Sequence, residues 1–169
     1  MKRLVLRIDR IVNTCVIAAA LVFVFSVGWV ALRHRSTLRN PSTSIENGTK
    51  ITIPGRDWSS SRQTLVLVLS VNCKYCTASA PFYRRLASQA LEAHSTRLMA
   101  IFPQATKVSS EYLAELDVNL VDVQQIAPSS VGAKGTPTLI LVNASGFVIQ
   151  SWEGLLPPSA ETEILAYVK

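Results

Sequence analysis

The chain has 169 residues, room for one ordinary domain and an appendage. Hydrophobic residues make up 49% of it and charged residues 17%, which is too apolar for a disordered polymer. The net charge of +6 does not point to nucleic acid: Lys2, Arg3, Arg7, Arg10, Arg33, Arg35 and Arg39 lie in the first 39 residues against the single acid Asp9, and the remainder is balanced.

Residues 1–10 form a short basic tail. Residues 11–32, IVNTCVIAAALVFVFSVGWVAL, contain no charge. As a helix this stretch spans ~33 Å, enough to cross a hydrocarbon core of roughly 30 Å. A cleavable signal peptide would have a shorter apolar region ending in a small-x-small site. Here the run ends at Trp29-Val30-Ala31-Leu32 with arginines after it, which favours a retained single-pass anchor. Cys15, preceded by Asn13-Thr14, does not make a lipobox and is read as a small residue within the span. The bias of basic residues slightly favours a cytoplasmic N-terminus, with the C-terminal domain outside the cytoplasm. Residues 33–50 have linker composition, and His34 sits there on a solvated basic flank.

From residue 51 the pattern is that of an α/β domain. Ile51-Thr52-Ile53 alternates like a short edge strand. Leu65 to Leu69 is a continuous apolar run, as burial on both sheet faces requires. Cys73-Lys74-Tyr75-Cys76 follows, and then a helical pattern to Ala93 in which Ala78, Phe82, Leu86 and Ala90 recur every four residues. Pro81 should kink that helix. Further strands are expected at 97–102, 118–123 and 139–143, with a helix opened by Ser109 and a turn or so at 126–131. His94, between helix and strand, is read as a surface or capping residue. Ala144-Ser145-Gly146 turns the chain into an antiparallel return strand, 147–152, and Pro157-Pro158-Ser159 opens a last helix.

Two thiols three residues apart, at the junction of a buried strand and a helix, form a redox motif in its natural setting. A thiolate attacks a disulfide and forms a mixed disulfide that the second thiol resolves. Cys73 is the expected attacker, since the helix N-terminus and the adjacent Lys74 both favour its anion. A thiol with a pKa of ~8.5 is about 3% ionised at pH 7, while one at ~7 is half ionised, a difference of about 2 kcal/mol. Cys76, one turn further in, suits the resolving role. Other chemistries fit less well. Zinc needs four ligands, and Cys15, His34 and His94 are in the wrong places to complete the set. A copper-binding assembly factor would need a wider cysteine spacing and a late histidine. A membrane-anchored interaction module with a structural disulfide stays open at this point.

Several features in order make residues 50–169 similar to the thioredoxin superfamily, and more narrowly to its membrane-tethered TlpA/ResA-type branch. They are the strand leading into CxxC, Pro81 five residues after Cys76, the loop Gly135-Thr136-Pro137-Thr138 before a strand, and the closing VNASGFVIQSWEG hairpin. An extra helix and strand between Ser109 and Val123 resembles the insertion of the tethered branch. The resemblance implies a mixed central sheet flanked by helices, with a redox-active Cys73–Cys76 disulfide and no other cofactor or metal. It also implies a cis bond before Pro137, with Thr136 and Pro137 forming part of the substrate surface beside Asn72, Lys74 and Tyr75. The implied partners are protein disulfides or dithiols and a membrane electron donor or acceptor, and the implied direction is reduction outside the cytoplasm, with oxidation or isomerisation as the alternative. The chain departs from the family twice. Asn72 stands where an aromatic usually precedes the first cysteine, and Leu67 stands where thioredoxins bury an acid that helps deprotonate the resolving thiol.

Overall fold

The run of apolar residues before the cysteines forms the middle of the sheet. In the computed structural model, which describes residues 45–93 and 96–169, β1 (Gln63–Val68) pairs on both sides. It lies parallel to β2 (Thr96–Phe102) and antiparallel to β4 (Thr138–Asn143). Beyond β2 lies the short parallel β3 (Val123–Gln125), and beyond β4 the antiparallel β5 (Val148–Glu153), giving the order β3-β2-β1-β4-β5. Central placement explains the composition of β1. Leu65, Val66, Leu67, Val68 and Leu69 are all buried, and each such side chain contributes roughly 1.5–3 kcal/mol.

Alternation along the strands separates two apolar layers. Leu65, Leu67, Ala100, Phe102, Leu139, Leu141 and Trp152 face the helices: α1 (Lys74–Ala78), α2 (Ala80–Ala93), α3 (Thr106–Glu115) and α4 (Pro158–Tyr167). Val66, Val68, Met99, Ile101, Ile140 and Val142 face Ile45, Ile51, Ile53, Val131 and Ala133. Among the described residues this second face is covered by irregular chain and a 3-10 turn at Pro128–Val131, without an α-helix.

Several expectations are corrected. Ile51–Ile53 is not a strand: its alternation buries the two isoleucines, but the backbone makes one isolated bridge, Lys50 to Phe147. The domain also begins earlier than residue 51. Ile45 is buried and exchanges hydrogen bonds with the Ser151 hydroxyl, so the end of the expected linker already belongs to the fold. The helix expected at Ser109 starts at Thr106, and Ser109 is interior, its hydroxyl donating back to the Ala105 carbonyl at 3.1 Å. The strand expected at 118–123 is reduced to Val123–Gln125 because Asp117 and Val118 terminate α3. Asp117 has φ +53°, its N–H donates to Ala114 O, and the Val118 N–H donates to Leu113 O, a Schellman ending with Val118 buried.

The apolar segment 11–32, Cys15, His34 and His94 lie outside the described residues. Among those described, no helix is long and apolar enough to cross a membrane.

Candidate active site

Cys73 is the N-cap of α1, in extended conformation at the end of the β1–α1 loop. Its backbone N–H donates to Ser70 O at 3.1 Å, and Gln104, two residues past β2, donates to the Ser70 hydroxyl at 3.0 Å. The loop is therefore held at both its strand and its neighbouring strand end. The Cys76 N–H, an unsatisfied donor of the first helical turn, points at Cys73 Sγ at 3.2 Å. The Cys73 thiol in turn donates to the Thr136 carbonyl at 3.2 Å. Both cysteines are free thiols, Cys73 half-buried and Cys76 fully buried.

These environments drive the two thiols apart. Partial burial pushes Cys73 up, but hydrogen bonding to the Cys76 thiol, the Thr136 side chain and the N–H groups of Cys76 and Tyr75 outweighs it, so the group titrates below its ordinary value. Burial first, and then the hydrogen bond to Cys73, pushes Cys76 up to about 12. The ionised form is thus favoured at the outer sulfur and disfavoured at the inner one.

The helix breaks between α1 and α2 at Ser79, two residues before Pro81. Pro81 has no N–H to continue the ladder. Ser79 serves both sides of the break: its N–H donates to Tyr75 O and Cys76 O, and its carbonyl accepts from the N–H groups of Phe82 and Tyr83. Its hydroxyl donates to Tyr75 O at 2.9 Å.

Opposite the cysteines, the Thr136–Pro137 peptide bond is cis. Pro137 is buried and Thr136 half-buried, with the Thr136 carbonyl facing Cys73. Asn72, Lys74 and Tyr75 are exposed around the sulfur. The structure thus brings Asn72, Cys73, Lys74, Tyr75, Cys76, Thr136 and Pro137 to one end of the sheet, where β1 stops and β4 begins. The Lys74 ammonium lies 5.0 Å from the centre of the Tyr75 ring, and the largest influences that lower Cys73 are hydrogen bonds. Leu67 is buried, with no acid in its place. Sequence reasoning missed Ser70, Ser79, Tyr83 and Gln104. Of these, only Tyr83 had a usable signal, its position seven residues after Cys76 on a helical pattern.

Comparison of the coordinates with solved structures identifies the architecture. A thiol:disulfide interchange protein described as DsbE from Chlorobium tepidum superposes with a TM-score of 0.58 at 22% identity, over 74% of this chain and 99% of its own. The chain has a thioredoxin fold. The thioredoxin domain of a thiol-disulfide oxidoreductase from Bacteroides vulgatus matches at TM-score 0.50 and 16% identity, over 79% of this chain and all of that one (100%). StoA from Bacillus subtilis matches at 0.53 and 13%, over 76% of this chain and 98% of its own. No protein-family model matches the chain, and no curated protein does. In the thioredoxin frame, the CxxC pair and the Pro137 loop occupy the C-terminal end of the central strand β1 and the N-terminal end of β4, which pair in antiparallel register from Val68–Thr138 onward.

Among the described residues no group of three or more His, Cys, Asp or Glu side chains could hold a metal ion.

Proposed function

We propose that this chain is a membrane-anchored thiol–disulfide oxidoreductase, held by residues 11–32, that reduces protein disulfides outside the cytoplasm through Cys73 and Cys76. The observation that carries the reading is the asymmetry of the pair: Cys73 Sγ is half-buried at a helix N-terminus and receives the Cys76 N–H at 3.2 Å, while Cys76 is sealed in the core. The fold shared with proteins named as thiol–disulfide oxidoreductases supports it.

In the proposed reaction the Cys73 thiolate attacks one sulfur of a substrate disulfide. A Cys73–substrate bond forms, the substrate S–S bond breaks, and the departing thiolate takes up a proton. Cys76 then attacks Cys73 Sγ, forming the Cys73–Cys76 disulfide and releasing the second substrate thiol. Two electrons have passed to the substrate. A dithiol partner in the membrane returns them, and the anchor keeps the pair near that donor. The exposed Asn72, Lys74 and Tyr75 and the Thr136–Pro137 loop form the surface that meets the substrate chain. Protein is the substrate class, and neither nucleic acid nor a further cofactor takes part.

Insulin reduction by the full chain in detergent tests the activity: turnover is expected for the wild type and lost in Cys73→Ser. A wild-type chain with no exchange in either direction would leave a structural disulfide as the better reading. For direction, the lowered Cys73 pKa favours a second reading, a thiol oxidant, since stabilising the reduced form raises the potential. A redox titration decides between them. A potential well above about −150 mV, in the range of strong oxidants, would replace the reductant with the oxidant.

A further inference from the structure

Tyr83 is 1% exposed and lies in the same apolar cluster as Cys76, Leu67 and Leu69. Its hydroxyl is buried and makes no hydrogen bond of good geometry among the described residues, the Ser79 side chain beside it being a weak partner at most. Buried polar atoms are nearly always paired, and an unpaired one lowers stability, so packing alone would favour phenylalanine here. The placement of this hydroxyl is specific. Seven residues are close to two helical turns, so Cys76 and Tyr83 lie on one face of the α1–α2 segment, with Ser79 and Ala80 between them. Helical side chains lean toward the N-terminus, which carries the phenol back over the Ser79 turn in the direction of Cys76. The hydrogen bond from the Tyr83 N–H to Ser79 O, 3.1 Å, sets that turn despite the break. After burial itself, the groups that act on the phenol are Cys76, then the Ser79 side chain, which works the other way, and then Cys73 and Tyr112, with no carboxylate among them.

We propose that Tyr83 is a positioning residue for the resolving step, its hydroxyl held as the buried donor for the Cys76 thiolate. This rests on the redox reading of the CxxC pair. In the resting dithiol Cys76 is protonated and the phenol has no partner beyond the weakly placed Ser79 side chain. When Cys76 attacks the mixed disulfide, its thiol proton leaves, its sulfur bonds to Cys73 Sγ, and the Cys73–substrate bond breaks. The departing substrate thiolate accepts a proton, so the net transfer is from Cys76 to the substrate sulfur. The anion formed on the way is buried, and the hydroxyl supplies the hydrogen bond that water would give outside. At Leu67, in the same apolar cluster, there is no acid to take the proton, and Tyr83 meets the same need by stabilising the anion.

The test uses the full-length reduced chain in detergent, in a Cys15→Ser background, reacted with the aromatic disulfide 5,5′-dithiobis(2-nitrobenzoate). Attack by Cys73 releases one coloured thiolate and resolution by Cys76 releases the second, so one absorbance trace reports both steps. Tyr83→Phe, which retains the ring, is expected to leave the first phase within about twofold and to slow the second about 10-fold or more, the usual weight of a hydrogen bond to a charged group. The pH midpoint of the second phase should rise. An unchanged second phase with an unchanged midpoint would overturn the proposal, and a rise in melting temperature alone would mark the hydroxyl as a structural liability. A wild-type chain that shows the first phase without the second would overturn the redox reading itself, and the role of Tyr83 with it.

Discussion

The Gly154 N–H donates to the Pro137 carbonyl at 2.8 Å, tying the chain just past β5 to the loop that faces Cys73. Through this bond the closing hairpin helps to set where the Thr136 carbonyl lies relative to the sulfur. Gly154 has φ +81°, a conformation that disfavours any side chain even where space is open. Gly154→Ala is expected to lower stability by about 1–2 kcal/mol. It should also loosen the Thr136 contact and slow alkylation of Cys73. Urea unfolding and iodoacetamide kinetics measure the two effects, and an unaltered alkylation rate would separate the hairpin from the site.

The cysteine variants should fail in different ways. Cys73→Ser is expected to form no adduct with a disulfide substrate, because buried Cys76 cannot reach it. Cys76→Ser should form the Cys73 mixed disulfide and retain it, visible as a covalent complex on a non-reducing gel. Equal trapping by both variants would show that either sulfur can attack.

Opposite displacement of the two pKa values makes pH a sharp probe. Alkylation of Cys73 should have its midpoint below that of an ordinary thiol, while Cys76 stays unreactive through neutral pH. Lys74→Ala should leave the Cys73 midpoint nearly in place, because the ammonium lies over the Tyr75 ring. Stability follows from the signs. Cys76 is raised from 9.0 to about 12 in the folded chain, so its contribution is complete below pH 9 and is lost as pH rises toward 12. Cys73 is lowered, so its contribution is present above pH 9 and is lost as pH falls through its own value. The disulfide form has neither group. The stability of the reduced chain relative to the oxidised one should therefore decline above pH 9, and a flat difference in melting temperature from pH 9 to 11 would contradict the burial of Cys76.

A part-buried ion pair fastens the irregular face of the sheet. Arg56, with its side chain 5% exposed, meets the Asp122 carboxylate at 2.6 Å, while Arg97 reaches the same oxygen from the surface at 3.4 Å. Asp122→Asn leaves a buried guanidinium without a counter-charge and is expected to cost about 3–5 kcal/mol in urea unfolding. Arg97→Ala, which removes the exposed partner, should cost less than about 1 kcal/mol. Equal losses would mean that the pair is solvated in solution.

Long buried elements were legible in the residues because burial leaves a pattern that no short-range alternative can imitate. The runs Leu65–Leu69 and Leu139–Val142, the hairpin turn and the Pro157-Pro158 opening of α4 all lie where that pattern puts them. Weaker signals failed where another interaction competed. Ser109 looks like a cap, but it lies inside α3 and its hydroxyl donates back to the carbonyl of the N-cap residue Ala105. Val118 looks like strand, but it is buried in closing that helix. Ile51 and Ile53 alternate because they line one face, and alternation records which face is buried without recording whether the backbone is paired.

The sequence by itself determined where the two thiols stand: a pair at a strand–helix junction, with a proline loop later on, is set by local spacing. Only the tertiary structure decided their electrostatics. The Thr136 carbonyl reaches Cys73 across 63 positions of chain, the Lys74 ammonium lies over the Tyr75 ring, and the buried phenol of Tyr83 shares the layer of Cys76. Those relations depend on which groups folding removes from water and leaves facing one another, and local spacing carries no record of that.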